Sequence, residues 1–359
     1  MMKQPLKILF LANWQWKKGD IGAEYAFFKH FIVKPEVRYL GTFNIPLWTS
    51  LERRFLKVYL LQAVIAFFLS YKYDVVLAYA SQSGLPLACL FRIFFRRKPL
   101  LAVFDVETLG RPSGWRLKLV RFAAARFDAL VYASSWQKDF YKANVPEVME
   151  KCRFIPLGIG RYDYRKASYD EPIFYAALGH HDQRYRDWRT LLLAHAKVAD
   201  RIQLVIFGKE FLTEKERAGA PLPPNVIFVP YIPSTELAKR MANALFCVVP
   251  LPERQQSQGQ LTALFCMALA KALIGAEVKG LLDYIQPNDN GLFYRTGDPG
   301  DLAEKIIYMV DHLDETIRMG QAGYEKVLKE HTEEIFGQRW EKILDELLRS
   351  NNKTRGDGN

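Results

Sequence analysis

The chain has 359 residues, of which 50% are hydrophobic and 25% are charged, with no internal repeat or low-complexity tract. This length predicts about two domains, each with its own core. The net charge of +11 is uneven, because residues 1–172 hold 27 Lys and Arg against 14 Asp and Glu. The excess predicts an anionic partner for the first half, such as a membrane, nucleic acid or anionic glycan, or else an ordinary charged surface.

The N-terminus and the cysteines predict a cytoplasmic protein. Residues 1–7 lead directly into a strand-like apolar run, which is not the pattern of a secretory signal. The longest uncharged apolar run, residues 58–71, has about 14 residues and is too short to span a bilayer. The four cysteines lie far apart without metal-type spacing and are interpreted as reduced thiols.

Strand-like runs alternate with helix-like segments along the chain. The predicted strands are 7–12, 74–79, 99–104, 129–133 and 152–156, then 173–178, 203–208, 225–229, 246–250, 272–276 and 291–294. The predicted helices include 116–126, 188–199, 234–244, 261–271 and 300–312. This alternation predicts an α/β fold with parallel sheets covered by helices. Two such series predict two Rossmann-like domains that face each other across a cleft.

Composition predicts the domain boundaries. Residues 1–165 form the first domain, and residues 166–330 form the second. A helix over 331–349 is expected to pack back toward the first domain, and the polar tail 350–359 is expected to be disordered. Ligands are expected beyond the carboxyl ends of the strands.

A series of short motifs follows in order between residues 179 and 298. They are Gly179, RDWRTLLLA at 186–194, LVIFG at 204–208, VPY at 229–231, GQLT at 259–262, VKGLLDYI at 278–285, NGL at 290–292 and GD at 297–298. Residues 173–345 thereby resemble the donor half of a retaining, family-4-like GT-B glycosyltransferase (glycosyl transferases group 1). The first half resembles the family only loosely, through 128–135 and 154–158. The resemblance implies a nucleotide-diphospho-sugar donor, retention of anomeric configuration, no obligatory metal or cofactor, and an acceptor bound by the first domain.

The donor site is expected where the polar loop 253–260 opens onto an apolar helix, since helix N-termini bind anions. Arg186 is the candidate cation for the diphosphate, although it could instead pair with Asp187 at a helix start. Gly259 could be only a turn glycine, and His180 and His181 could be solvent-exposed. The candidate donor-binding residues are Gly179, His180, His181, Arg186, Tyr231, Ser257, Gln258, Gly259, Gln260, Leu261, Thr262 and Phe265.

One departure from the family leaves other functions open. The family's pair of glutamates, eight residues apart, falls on Ser257 and Phe265. A phenylalanine cannot accept a hydrogen bond from ribose. The alternatives are therefore a GT-B pseudoenzyme that acts as a scaffold subunit, and a sugar-nucleotide epimerase.

The first domain supplies the acceptor-side candidates. Asn13, Trp14, Trp16 and Lys17 follow the first strand and suit a sugar or anionic acceptor, or form a plain surface loop. Asp105 and Glu107 follow another strand and are candidates, with Arg186, for catalysis by assisting deprotonation of the acceptor, unless they only cap a helix.

Basic residues beside apolar segments predict peripheral attachment to the inner face of the cell membrane, although core helices with basic ends would look the same. The candidates are Arg53, Arg54, Lys57, Arg96, Arg97 and Lys98. The expected acceptor is a glycan or lipid-linked saccharide. No nucleic-acid partner is expected, because the basic residues match no nucleic-acid-binding motif.

Overall fold

A computed structural model describes residues 5–15, 26–43, 52, 58–95, 99–105, 108–110, 112–162, 173–179, 185–254 and 258–356. The chain forms two compact units. Unit 1 comprises Met1–Pro156 and Glu333–Asn359, and unit 2 comprises Leu157–Thr332. The sequence predicts the first boundary nine residues later, at 165/166, whereas the chain leaves unit 1 directly after its last strand.

Unit 1 is built on a six-stranded parallel sheet in the order β2-β1-β3-β4-β5-β6. Its strands are β1 (Lys7–Leu11), β2 (Glu36–Leu40), β3 (Val75–Ala78), β4 (Leu100–Asp105), β5 (Ala129–Tyr132) and β6 (Cys152–Phe154). The strands β3, β4 and β5 are buried along their whole length. Continuous apolar strands of this kind are typical of sheets covered on both faces.

The helices of unit 1 pack on this sheet. They are α1 (Leu60–Leu69), α2 (Ser81–Ile93), α3 (Gly114–Ala124), α4 (Gln137–Asn144) and α11 (Glu333–Gly356). Short 3-10 helices cover Ala26–His30, Ser70–Lys72, Thr108–Gly110 and Pro146–Lys151. The last helix closes the unit, because its Trp340 is fully buried against Phe27 and Phe104.

Two elements differ from the sequence expectation. The edge strand β2 is missing from the predicted strands, because its EVRYL sequence alternates and none of its residues is fully buried. Helix α11 continues to Gly356, whereas residues 350–359 are expected to be disordered. A polar composition does not end a helix once it has formed, since each further residue adds one backbone hydrogen bond.

Unit 2 has a second six-stranded parallel sheet, in the order β12-β11-β10-β7-β8-β9. Its strands are β7 (Phe174–Leu178), β8 (Gln203–Phe207), β9 (Val226–Val229), β10 (Phe246–Val249), β11 (Ala272–Ala276) and β12 (Gly291–Tyr294). Its helices are α5 (Trp188–His195), α6 (Glu214–Arg217), α7 (Ser234–Met241), α8 (Gln260–Ala268), α9 (Pro299–Asp311) and α10 (Leu313–Glu330). The strand order reverses at β7 and β10, and such a switch point opens a crevice for ligands.

The two ends of unit 2 lie side by side. Ile159 forms a β-bridge with Thr332, and its N–H donates to the carbonyl oxygen of His331 at 2.8 Å. The ring of His331 is buried, and its Nδ1 lies 3.1 Å from the carbonyl oxygen of Leu157. Unit 2 is thus an insertion with joined ends between the two segments of unit 1.

No helix among the residues that the structure describes is both long and apolar enough to cross a bilayer.

Candidate functional site

The strongest candidate site in unit 2 lies where α8 begins. Gly259 is the N-cap residue of this helix and adopts φ 86°, a left-handed conformation that favours glycine. A Cβ atom at this position would lie 2.5 Å from Cδ1 of Leu251. A side chain at this position is therefore excluded on both conformational and steric grounds.

The first turn of α8 can receive an anion. The N-cap residue makes no side-chain hydrogen bond to the turn, and the turn contains no acidic residue. Backbone N–H groups of a first turn point away from the helix, and the helix dipole favours negative charge there. Residues 260–262 therefore stay candidates for binding an anion at this helix terminus.

Arg186 lies beside this helix terminus. Its side chain is only 8% exposed. The guanidinium donates to the carbonyl oxygens of Leu178 and Tyr185 at 2.9 and 2.8 Å, and its Nη2 donates to Oγ1 of Thr262 at 3.0 Å. Burial lowers the pKa of Arg186 to about 10, because the charged form loses solvation.

Arg186 forms no ion pair with any carboxylate in the described part of the chain. The alternative partner, Asp187, instead caps α5 by accepting from the N–H of Thr190 at 3.1 Å. Within the described part of the chain the guanidinium donates only to neutral oxygens, so no described carboxylate compensates its positive charge. Such a group favours an anion in contact with it.

Two glycines bring the ends of β7 and β8 together. A Cβ atom on Gly179 would lie 2.6 Å from Cγ of Lys209 and 2.8 Å from the carbonyl oxygen of Phe207. The residue directly after β8 is Gly208, whose φ is +83°. Gly179 is therefore required for close packing, whatever its part in donor binding.

A cavity of about 380 Å³ opens after β8. Its lining residues are Gly208, Lys209, Glu210, Phe211, Thr213, Glu216 and Tyr231. Two exposed aromatic residues, Phe211 and Tyr231, are part of this lining, which suits a planar ligand. Of the seven, the sequence predicts only Tyr231 as a binding residue.

The buried end of this cavity is an ion pair. Nζ of Lys209 lies 2.6 Å from Oε1 of Glu216, and the other carboxylate oxygen accepts from the backbone and hydroxyl of Thr213. Burial alone would raise the pKa of Glu216, but the hydrogen bonds from Lys209 and Thr213 lower it. The sequence signal for part of this arrangement, the contact of Glu216 with Thr213, is the capping box Thr213-Glu-Lys-Glu216, which begins five residues after the end of LVIFG.

Phe265 and Gln258 occupy the region near the family's glutamates. Phe265 is 9% exposed and packs edge-on against Tyr162, with ring centroids 5.1 Å apart. Gln258 is 6% exposed, and its Nε2 donates to the carbonyl oxygen of Pro252 at 2.9 Å. Its Oε1 is buried and has no hydrogen-bond partner among the described residues. This oxygen is an acceptor available to a hydroxyl.

In unit 1, Asp105 lies at the end of β4 and is fully buried. Its Oδ2 accepts from the N–H of Leu109 at 2.6 Å and from the hydroxyl of Tyr141 at 2.9 Å. Burial, together with this carboxylate, raises the pKa of Tyr141. The carboxylate therefore fixes the turn that follows β4.

The described acceptor candidates lie after β1. The ring of Trp14 contacts Phe10 and Tyr79, with centroids 6.2 and 6.0 Å apart, and is half-buried. The carbonyl oxygen of Asn13 accepts from the hydroxyl of Tyr59 at 3.4 Å. Trp14 is thus partly a packing residue.

Several candidates lie outside the described residues, and their roles stay predictions. They are Trp16, Lys17, Glu107, His180, His181, Ser257 and the basic residues Arg53, Arg54, Lys57, Arg96, Arg97 and Lys98.

A larger cavity of about 820 Å³ in unit 1 is not a comparable site. Lys7 and Glu36 place it at the amino ends of β1 and β2, the edge opposite to the one where parallel sheets bind ligands. Some of its polar groups contact one another, as in the hydrogen bond of 2.9 Å from the N–H of Lys7 to Asp74.

Residues 173–312 match the family model of glycosyl transferases group 1, which confirms the resemblance seen in the motifs of the second half. No curated protein sequence matches the chain significantly.

Solved glycosyltransferase structures share the fold of the chain. Sucrose-phosphate synthase from Thermosynechococcus elongatus has a TM-score of 0.75 at 17% identity, over 96% of this chain and 100% of that one. HepE of Anabaena, in complex with UDP-glucose, has a TM-score of 0.72 at 15% identity, over 96% and 100%. A glycosyltransferase from Rickettsia africae has a TM-score of 0.74 at 13% identity, over 96% and 99%. The expected GT-B fold is thereby confirmed, and the family match supports glycosyl transfer as the activity.

Proposed function

We propose that the protein transfers a sugar from a nucleotide-diphospho-sugar to a glycan or lipid-linked acceptor, with retention of anomeric configuration and without a metal. The observation that carries the proposal is the buried guanidinium of Arg186 at the start of α8, which has no carboxylate partner among the described residues. A diphosphate would supply the missing negative charge.

The geometry favours a diphosphate over a single carboxylate. Thr262 belongs to the first turn of α8 and also accepts from Nη2 of Arg186, so the side-chain cation and the helix terminus act at one place. A guanidinium grips phosphate oxygens through two donors, and the helix N–H groups can bind others.

The same groups would promote departure of the nucleoside diphosphate. Negative charge develops on the β-phosphate as the bond to the sugar breaks. Fixed donors in a dry site stabilise such charge more strongly than water does. In this proposal Arg186 and the start of α8 supply the positive potential that other transferases take from a metal ion.

The remainder of the donor has candidate contacts in unit 2. The cavity after β8 would hold the nucleobase between Phe211 and Tyr231. The unpartnered Oε1 of Gln258 would accept from a sugar hydroxyl. HepE, which shares the fold, was solved with UDP-glucose, so a uridine nucleotide is the first donor to test.

The acceptor is proposed to bind to unit 1 near Asn13 and Trp14, at the carboxyl end of β1. Asp105 is proposed to aid turnover by holding the turn after β4, through its hydrogen bond to Leu109. Glu107 lies in the same segment of the sequence and is the candidate to assist deprotonation of the acceptor.

A scaffold role is the second candidate, and Phe265 favours it. The ring of Phe265, which packs on Tyr162, has no acceptor for ribose hydroxyls where the family has a glutamate, and weak donor binding would follow. A scaffold subunit would bind nucleotide weakly or not at all and would not turn it over.

Thermal unfolding with UDP-, GDP-, ADP- and TDP-sugars tests the proposal. One nucleotide-sugar should raise the melting temperature, since a ligand of the native state stabilises it. Arg186→Ala should abolish the shift, whereas the matched control Arg189→Ala, on an exposed position of α5, should keep it. If no donor produces a shift, the scaffold role is favoured instead.

Analysis of the products distinguishes a glycosyltransferase from a sugar-nucleotide epimerase. A transferase needs an acceptor for turnover, and NMR of the new linkage reports retention or inversion. Conversion of the donor without an acceptor into an epimeric sugar nucleotide would identify an epimerase.

A further inference from the structure

Helix α3 exposes an apolar stripe. Trp115, Leu119 and Phe122 are 70%, 50% and 38% exposed, and their spacing of four and three residues places them along one face of the helix. The opposite face buries Val120 and Ala123 against the core of unit 1. This helix therefore has two apolar faces, of which the core uses only one.

The stripe continues onto the end of α2. Arg92 joins the two helices, because its Nη1 donates to the carbonyl oxygen of Phe122 at 2.6 Å and its guanidinium lies 4.2 Å from the centroid of that ring. Next to it, Phe94 and Phe95 are 62% and 91% exposed. We call Arg92, Phe94, Phe95, Trp115, Leu119 and Phe122 the aromatic face. Contiguous exposed apolar surface of this kind marks a binding surface.

The helices that carry and adjoin the aromatic face contain charged residues of one sign only. The sequences of α1, α2 and α3 contain four basic residues and no Asp or Glu. The four are Arg92, Arg116, Lys118 and Arg121. Arg121 is partly neutralised by an ion pair with Glu147 from outside these helices.

We propose that the aromatic face binds the surface of an anionic lipid bilayer. Trp and Phe side chains insert at the boundary between headgroups and acyl chains, and neighbouring Arg and Lys contact anionic headgroups. The face places both kinds of side chain on adjacent helices. The inference rests on the proposed function only for the choice of a membrane as partner. Its residues are different from the six basic membrane candidates predicted from the sequence.

Self-association through this face is disfavoured by the same charges. A two-fold interface brings each surface patch against its own copy. The positive charges of two copies would then face each other, which is unfavourable without intervening anions. A bilayer that contains anionic lipid supplies the opposite charge.

Sedimentation of the full chain with lipid vesicles tests the inference, without any nucleotide. Binding should be strong to phosphatidylcholine vesicles that contain phosphatidylglycerol, weak to phosphatidylcholine alone, and reduced by salt. Trp115→Ser/Leu119→Ser should lower the partition coefficient about tenfold or more. The matched control Leu313→Ser/Ile317→Ser removes two residues with the same spacing and 44% exposure on α10, and it should bind like the wild type.

A second measurement compares the wild type with a variant that keeps an aromatic anchor. Brominated acyl chains should quench Trp fluorescence on binding, and Trp115→Phe, which keeps an aromatic anchor, should bind but lose part of the quenching. Absence of binding to anionic vesicles, or equal binding by the Trp115→Ser/Leu119→Ser variant, would overturn the inference. Loss of a dimer in that variant, without vesicle binding by the wild type, would assign the face to a protein interface instead.

Failure of this inference is distinguishable from failure of the proposed function. The thermal shift with the nucleotide-sugar is measured on the same Trp115→Ser/Leu119→Ser variant. A normal shift shows that unit 2 is folded and binds donor, whatever the vesicles show.

Discussion

Each unit buries a charged side chain at the carboxyl edge of its sheet, but the two charges have different surroundings. Asp105 in unit 1 accepts from Leu109 and Tyr141 and fixes the turn in which Leu109 lies. Arg186 in unit 2 donates to two carbonyl oxygens and to Thr262, and it meets no carboxylate among the described residues. Asp105 is therefore expected to stabilise the native state, whereas the buried charge of Arg186 is expected to destabilise it.

This difference in surroundings distinguishes a buried charge that supports the fold from a buried charge that serves ligand binding. A buried charge that satisfies otherwise orphaned donors stabilises the native state, because its removal leaves those donors unpaired. A buried charge without a counterion destabilises the native state and is retained where a ligand completes it. Burial alone does not distinguish the two, since both side chains are inaccessible or nearly so.

The largest effect is expected on stability when Asp105 is removed. Asp105→Ala removes the acceptor for the N–H of Leu109 and for the O–H of Tyr141 in the core, and we expect the free energy of unfolding to fall by about 3 kcal/mol. Urea denaturation measures it. Asp105→Asn keeps an acceptor oxygen and should lose less than half as much. Equal losses in the two variants would contradict the assigned role.

In contrast to Asp105→Ala, the variant Arg186→Met should lose donor affinity but little stability. We expect donor affinity to fall about 30-fold, since hydrogen bonds to charged groups are strong. The free energy of unfolding should change by less than about 1 kcal/mol, because an apolar side chain relieves the buried charge. Calorimetric titration and urea denaturation of the same sample provide both values. A loss of stability as large as that of Asp105→Ala would remove the contrast between the units.

Thr262→Val tests whether Arg186 and the start of α8 act together. The variant removes the acceptor for Nη2 of Arg186, and we expect donor affinity to fall about fivefold, or about 1 kcal/mol. The exposed Thr235 of α7, changed to Val, is the control. Unchanged affinity in Thr262→Val would show that the contact does not serve the ligand.

The smallest effect concerns a third buried charge, Glu216, which has its own cation in Lys209. Its pKa is lowered in the folded state, so its stabilisation is present above the unfolded pKa and is lost as pH falls through the folded value. We expect Glu216→Gln to be about 1 kcal/mol less stable than the wild type near pH 7, and the gap to close in acid. Urea midpoints across the acid range measure the gap. A difference in stability between Glu216→Gln and the wild type that does not change with pH would refute a stabilising role for the ionised carboxylate of Glu216.

The sequence predicts most of the fold because its strands are apolar along their whole length, as in β3 and β10. The edge strand β2 is missed because no residue in it is fully buried. At the site, the glycine before α8 and the nearby arginine are predictable from motif order. The capping box signals the position of Glu216 but not its ion pair with Lys209. The packing of Phe265 on Tyr162 depends on a tertiary contact that no local pattern contains.

The return of the chain to unit 1 affects the order in which the two units can fold during synthesis. The ring of Trp340 in α11 packs on Phe27 and Phe104, which precede it by more than 200 residues. A ribosome synthesises the whole of unit 2, with both of its joined ends, before it synthesises this helix. Unit 2 can therefore fold first, while the N-terminal part of unit 1 waits with its aromatic core exposed. During that interval the nascent chain presents a surface that chaperones bind.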